Sequence, residues 1–169
     1  MKKLDKLPVF RKRETDDYDP TTWRLAVNGL VRNPMVFPYK VIQTITSTRL
    51  TCDFACVEGW TVPDIKWEGV SIKLLAEAVE PLPEARYATF HAGTFVMSLA
   101  LEHALQDNVI LAYRMDGTPL PWEHGGPLRL VTPGNDCFYG VKWVERVEFS
   151  STDANDTGRE IALKRIGRA

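Results

Sequence analysis

The side chains able to do chemistry in this 169-residue chain are three cysteines, three histidines and two basic residues near a glycine pair. Cys52 and Cys56 fall within Thr51 to Trp60, TCDFACVEGW, and Cys137 lies far downstream. A thiolate is a nucleophile and a soft metal ligand, whereas a thiol packed among apolar groups is inert. The Cys52-X3-Cys56 spacing is compatible with a metal pair, with His91, His103, His124 and Cys137 as further donors. Those donors do not follow zinc-finger spacing. The Cys-X-X-Cys-His signature of covalent haem is absent. Cys56 with His91 or His124 would make a nucleophile and base only if the fold joined them, and no nucleophile-elbow pattern is present.

A second cluster suits anions. His124-Gly125-Gly126-Pro127-Leu128-Arg129 combines glycine amides, which approach a ligand closely, with a guanidinium suited to phosphate. Lys142 follows thirteen residues after Arg129. Read by itself, the segment is a Gly-Pro turn between two strands. The tryptophans Trp60, Trp67, Trp122 and Trp143 read as core or pocket walls, without any RNA-binding signature.

Composition bounds the rest. The chain is 44% hydrophobic and 25% charged, ordinary for one globular domain. A formal net charge of −1 gives no field to attract nucleic acid or an anionic membrane surface. No apolar run reaches the length of a membrane helix. The first twenty residues, MKKLDKLPVFRKRETDDYDP, are charged and lack the apolar centre of a signal peptide. The expectation is a cytoplasmic protein whose cysteines are thiols or ligands.

The elements that must position these groups are mostly strands. Residues 1–20 read as a polar arm, and residues 21–169 as one domain. Alternation around Trp23, Leu25 and Val27, over Arg49 to Phe54, and over Val141 to Phe149 predicts half-buried strands. Further strands are expected at Val36-Phe37, Tyr87 to His91, Val109 to Tyr113 and Leu128 to Val131. Helical spacing is read over Pro38 to Ile45, Val70 to Val79 and Met97 to Ala104, with Trp60 to Gly69 a loop around Pro63. Residues 161–166 read as a last strand or short helix. Strands outnumber helices without regular alternation, so the fold class is α+β, a β-rich single domain of mixed sheets and short helices.

Several segments in order resemble the molybdopterin-binding domain of the sulfite oxidase family. They are Trp23-Arg24-Leu25-Ala26-Val27-Asn28-Gly29-Leu30-Val31, Cys56-Val57-Glu58-Gly59-Trp60 and Trp67-Glu68-Gly69-Val70-Ser71-Ile72. Later come Leu111 to Pro121, LAYRMDGTPLP, then His124 to Leu130, HGGPLRL, with Pro133, and Val141-Lys142-Trp143-Val144. The match covers roughly residues 22–149. The resemblance implies that family's fold and a molybdenum cofactor, Mo-molybdopterin, with Cys56 as the thiolate on the metal. It places His124, Gly125, Gly126, Arg129 and Lys142 along the pterin and its phosphate. It leaves Cys52 and Cys137 as packed thiols.

The implied activity is two-electron oxygen-atom transfer on a small-molecule substrate. The chain carries no haem domain and no immunoglobulin-like dimerisation domain, so the electron donor or acceptor is separate. Two departures stand out. Ala55 precedes Cys56 where relatives often carry a polar residue, and Val57-Glu58-Gly59 follows where sulfite-oxidising members place arginine. An acidic Glu58 disfavours a sulfite dianion. The alternative function is a non-catalytic module that holds or delivers the pterin.

Overall fold

Alternating side chains build two sheets, and the turns between their strands carry the reactive groups. The computed structural model describes residues 1–9 and 19–154, together with Thr157, Glu160, Ile161, Lys164 and Gly167. The expected last element at residues 161–166 lies largely outside the described residues. In chain order the strands are β1 (Lys2–Lys3), β2 (Arg24–Gly29), β3 (Met35–Pro38), β4 (Thr48–Cys56), β5 (Trp60–Ser71) and β6 (Tyr87–Ala92). They continue with β7 (Phe95–Ala100), β8 (Ile110–Met115), β9 (Thr118–Pro119), β10 (Arg129–Val131) and β11 (Arg146–Ser150). Short α-helices join them: α1 (Tyr39–Ile42), α2 (Ile72–Val79) and α3 (Leu101–Ala104).

One sheet runs β1-β5-β8-β10, with β4 on β5 and β9 on β8; the other runs β3-β2-β11-β6-β7. Most pairings are antiparallel, while β1 with β5 and β2 with β11 are parallel. The fold is the mixed, β-rich α+β arrangement that the sequence predicts.

The first sheet is buried on both faces at β8, which explains its unbroken apolar run. Leu111 and Tyr113 enter the large core beside Val70, Leu128 and Leu130. Ile110 and Ala112 turn the other way, into a smaller cluster with Leu7, Val62, Ile65, Trp67 and Val131. Leu7 therefore ties the N-terminal residues to the domain. Helix α2 follows from spacing and caps. Ile72, Leu75, Ala76 and Val79 form its buried stripe, and the Ser71 hydroxyl accepts from the Leu74 amide at 3.2 Å. Its end is Glu80, in the left-handed region, before Pro81.

Three segments differ from expectation. Residues 60–71 are the strand β5, not a loop. Proline is tolerated there because β4 and β5 form a bulge: Cys52 faces Ile65, but Phe54 faces Val62. One residue of β4, Asp53, thus spans two of β5, Pro63 and Asp64. The Asp53 carboxylate accepts from the Asp64 amide at 3.0 Å, and Asp64 adopts a φ of +56°. Residues 95–100 are the strand β7, and only Leu101–Ala104 is helical. There Met97, Leu101 and Leu105 sit at helical spacing while Met97 and Leu99 alternate as in a strand, and pairing with β6 decides. Finally, β11 begins at Arg146 rather than Val141. Trp143 has a φ of +57° and its amide donates to the Gly125 carbonyl at 3.1 Å, which bends residues 141–145 around the glycine turn.

Candidate functional site

Strand β4 ends at the thiols. Its inward positions, Leu50, Cys52, Phe54 and Cys56, share one face. Leu50, Cys52 and Phe54 pack against the smaller cluster. Cys56 stands at the exit of the strand, where the Gly59 amide closes a turn onto its carbonyl at 2.9 Å. A one-turn 3-10 segment, Cys137–Tyr139, packs onto this exit. It brings the Cys137 sulfur to 3.0 Å from the Cys56 sulfur, and both are half-buried. The two thiols titrate as a unit. Their hydrogen bond pulls Cys137 down to about 7 and holds Cys56 above the usual thiol range. A cleft beside the pair is lined by Asp53, Ala55, Thr132, Asn135 and Cys137.

The cations come from β10 and the turn around it. Leu128 and Leu130 point into the large core, so alternation sends Arg129 to the opposite face with Val131. Arg129 is only 3% exposed. Its guanidinium lies over the rings of Phe54, at 4.8 Å, and Trp67, at 5.5 Å. It donates to the His124 carbonyl at 2.9 Å, while its Nε is buried without a partner. Lys142 donates from Nζ to the neighbouring Glu123 carbonyl at 2.7 Å and rests over Trp143 at 5.5 Å. Two successive carbonyls of the Trp122–His124 turn thus hold the two cations.

Among the described residues neither cation forms a salt bridge. Burial drives Arg129 down to about 10, and burial with the nearby Arg129 charge drives Lys142 down to about 8. Burial also lowers His124, whose Nδ1 is enclosed without a partner.

The turn depends on its glycines. Gly125 has a φ of +104°, and a Cβ there would meet Lys142 atoms at 2.8 Å. A Cβ on Gly126 would sit 2.1 Å from the Leu120 carbonyl oxygen. That neighbour is backbone of the strand-exit segment and cannot swing away. Gly126→Ala is expected to cost about 1–3 kcal/mol of stability. Thermal melting of the variant checks this; an unchanged midpoint would mean the turn is more pliant than its packing indicates.

The structure therefore brings Cys56 together with Cys137, and Arg129 together with His124 and Lys142. The two groups adjoin: Arg129 stacks on Phe54, two residues before Cys56, and the space at Gly140 is shared by the Arg129 guanidinium and the Cys137 carbonyl, each 3.2 Å from a Cβ built there. Cys56 has no histidine partner among the described residues. His91 lies in the other sheet, bonded to Glu148 at 2.9 Å and Arg146 at 3.0 Å, and His103 bonds to Asn135 at 2.9 Å. The nucleophile–base reading of Cys56 thus has no base. Among the described residues no three His, Cys, Asp or Glu side chains are placed to hold a metal. Sequence reading took Cys137 as a scattered donor or a packed thiol and did not pair it with Cys56, which lies eighty-one residues away in the chain. It also missed the Phe54 and Trp67 rings beneath Arg129, which the alternation of β4 and β10 already implied.

The site is thus a thiol at a strand exit beside a cation-lined turn, within a mixed two-sheet domain. Residues 12–157 match the family model described as the oxidoreductase molybdopterin binding domain, and the chain belongs to that family. Its cofactor is the molybdenum-bearing pterin. The chain is 34% identical over 145 residues to the uncharacterized oxidoreductase YuiH of Bacillus subtilis (strain 168), covering 85% of this chain and 73% of that protein. It is 25% identical over 173 residues to the protein-methionine-sulfoxide reductase catalytic subunit MsrP of Gluconobacter oxydans (strain 621H), covering 91% of this chain and 55% of that one.

Among solved structures, the sulfane dehydrogenase SoxCD of Paracoccus pantotrophus superposes with a TM-score of 0.75 at 25% identity. That likeness covers 82% of this chain and 40% of the other. The chain thus spans about half the length of MsrP and less of the SoxCD chain.

The site's chemistry fits such a group. A buried Arg129 and a half-buried Lys142, without carboxylate partners among the described residues, and an orphaned Arg129 Nε and His124 Nδ1, leave unmet demand for an anion with several acceptor oxygens.

Proposed function

We propose that the chain is a compact molybdoenzyme in which the Cys56 thiolate binds the metal, while Arg129, Lys142, His124 and the Gly125-Gly126 turn hold the pterin and its phosphate. The observation that carries this reading is the buried Arg129 and the half-buried Lys142, both without a salt bridge among the described residues, next to the thiol-bearing strand exit. Charge buried without a counter-charge is costly, and a phosphate dianion supplies the counter-charge. When bound, the cofactor supplies two-electron redox chemistry and oxygen-atom transfer to or from a small substrate.

This chain's residues do the rest. Arg129 presents a fork whose planar donors match phosphate oxygens. Lys142 adds a point charge set by the Glu123 carbonyl. Gly125 and Gly126 keep the wall free of side chains that would stand off the ligand. Glu58, two residues after Cys56 in the turn between β4 and β5, places negative charge near Cys56 and disfavours sulfite. An uncharged sulfoxide is the first substrate to test, in keeping with the similarity to a sulfoxide reductase.

The test is molybdenum content and oxidised-pterin fluorescence of protein from a cofactor-competent host, followed by sulfoxide reduction with a reduced dye as electron donor. About one molybdenum per chain with turnover supports the reading. Cofactor without turnover on sulfoxides, N-oxides or sulfite would favour a carrier module, and absence of both would reject the site assignment.

Lys142 adds a pH signature. Its folded value, about 8, lies below the ordinary 10.5. Below pH 8 the apo-protein carries the buried charge as a cost. Between pH 8 and 10.5 the folded lysine is neutral while the unfolded one is still protonated, so apo stability rises across that window. Affinity for the cofactor runs the opposite way. It is expected to fall by up to about tenfold per pH unit above 8, as the charge that faces the phosphate is lost. Binding titrations from pH 7 to 9 check this, with Lys142→Met giving weak, pH-independent binding. An unchanged wild-type affinity across that range would remove Lys142 from the phosphate site.

A further inference from the structure

Holding the cofactor uses Cys56 and leaves Cys137 without a task. Yet the Cys137 sulfur is 3.0 Å from the Cys56 sulfur, across two segments that are remote in sequence. A disulfide needs about 2.05 Å, so the two sulfurs must close by roughly 1 Å. The two sides differ in their freedom to make that move. Cys56 ends a strand paired with β5 up to Trp60. Cys137 sits in a single 3-10 turn outside both sheets, flanked by Gly134 and Gly140. Gly134 has a φ of +82° with open space around it. The turn can shift while the strand stays fixed. Both sulfurs are half-buried, and Cys137 lines the cleft, so a small oxidant can reach them. The third cysteine, Cys52, lies on the far side of the bulge against the smaller cluster.

We propose that Cys56 and Cys137 form a reversible disulfide that withdraws Cys56 from the metal, making cofactor uptake conditional on a reduced pair. The bond itself follows from the geometry alone; its effect on the cofactor rests on the reading of Cys56 as metal ligand. The oxidant class is a low-molecular-weight disulfide such as oxidised glutathione. A thiolate of the pair attacks one glutathione sulfur, forming a mixed disulfide and releasing one glutathione thiolate. The second cysteine then attacks the protein sulfur of that mixed disulfide and expels the second glutathione. The pair gives up two electrons and two protons, and glutathione disulfide becomes two thiols. A sulfur bonded to Cys137 has no thiolate to offer a metal. Conversely, a metal already on Cys56 shields it from exchange.

The experiment uses the full apo-chain, equilibrated with oxidised glutathione, alkylated and mapped by mass spectrometry. The expected product is a Cys56–Cys137 linked peptide with Cys52 alkylated, reversed by dithiothreitol. In Cys137→Ser the linked peptide is absent and the mixed disulfide persists on Cys56. A bridge through Cys52, or stable glutathione adducts in wild type in place of the bridge, would overturn the proposal. Molybdenum uptake from supplied cofactor is then measured on the same samples. Oxidised wild type should take up at least about tenfold less than reduced protein, with recovery after dithiothreitol. Equal uptake by the bridged chain would overturn the gating. Failure of reduced protein to take up any molybdenum, with the bridge still forming, would instead reject the ligand assignment made under the proposed function.

Discussion

Cys56→Ser is expected to lower molybdenum-dependent turnover by about a thousandfold or more, equivalent to about 4 kcal/mol of lost transition-state stabilisation. The fold should survive. Cys56 is half-buried at a strand exit, and its backbone closes the turn to Gly59 whatever side chain it carries. Serine keeps the volume but offers a hard alkoxide of very high pKa in place of a soft thiolate, so under the proposed ligation the metal would lose its protein ligand. Cys52→Ser is the control. That thiol faces the smaller cluster and should change stability slightly and turnover hardly at all. Circular dichroism, metal content and steady-state kinetics on the two variants separate the roles. Wild-type turnover in Cys56→Ser would end the ligand assignment.

The second large effect is at Arg129. Arg129→Met should weaken cofactor binding by about a hundredfold, because both the charge and the fork that match a phosphate are gone. The apo-protein, by contrast, should keep its stability to within about 1 kcal/mol. The lowering of Arg129 from 12.5 to about 10 means the fold bears a buried charge at a cost on the order of 3 kcal/mol at neutral pH. Opposing that are one charged hydrogen bond to the His124 carbonyl and two ring contacts, each worth about 1 kcal/mol. Methionine gives up both sides of this balance and fills the slot between Phe54 and Trp67. Thermal melting of apo-protein, set beside cofactor retention on gel filtration, tests the pair of outcomes. Collapse of the apo-protein would make Arg129 a structural residue first.

How far the sequence revealed this molecule depends on where each signal is stored. Strand β4 was legible because its alternation is local, and α2 because its stripe, Ser71 cap and Pro81 stop are all local. Strand β5 was not, since Pro63 ordinarily ends a strand and its accommodation requires the Asp53 bulge on another strand. Strand β7 was hidden because Met97 with Leu101 suits a helix and Met97 with Leu99 suits an edge, and only β6 decides between them. The anion-binding turn was visible as a motif, but not the burial of Arg129, which depends on rings from β4 and β5. Cys137 left no local trace at all. Its neighbour Cys56 is supplied by a segment folded from the other half of the chain, and no spacing rule carries that information.

The parallel partnership of β11 with β2 has a consequence for how the molecule is made. Residues 146–150 insert between β2 and β6, so the five-stranded sheet has a gap at its middle until they are in place. On a ribosome, β2 and β6 emerge long before, each with an unpaired edge that invites pairing with a neighbouring chain. The bend at residues 141–145, pinned to the glycine turn, is the last hinge before that insertion. The cation-lined turn and the closing strand are therefore tied to one another in assembly. A chain truncated before residue 146 should expose the β2 and β6 edges and aggregate, which light scattering of the truncated chain beside the full one checks.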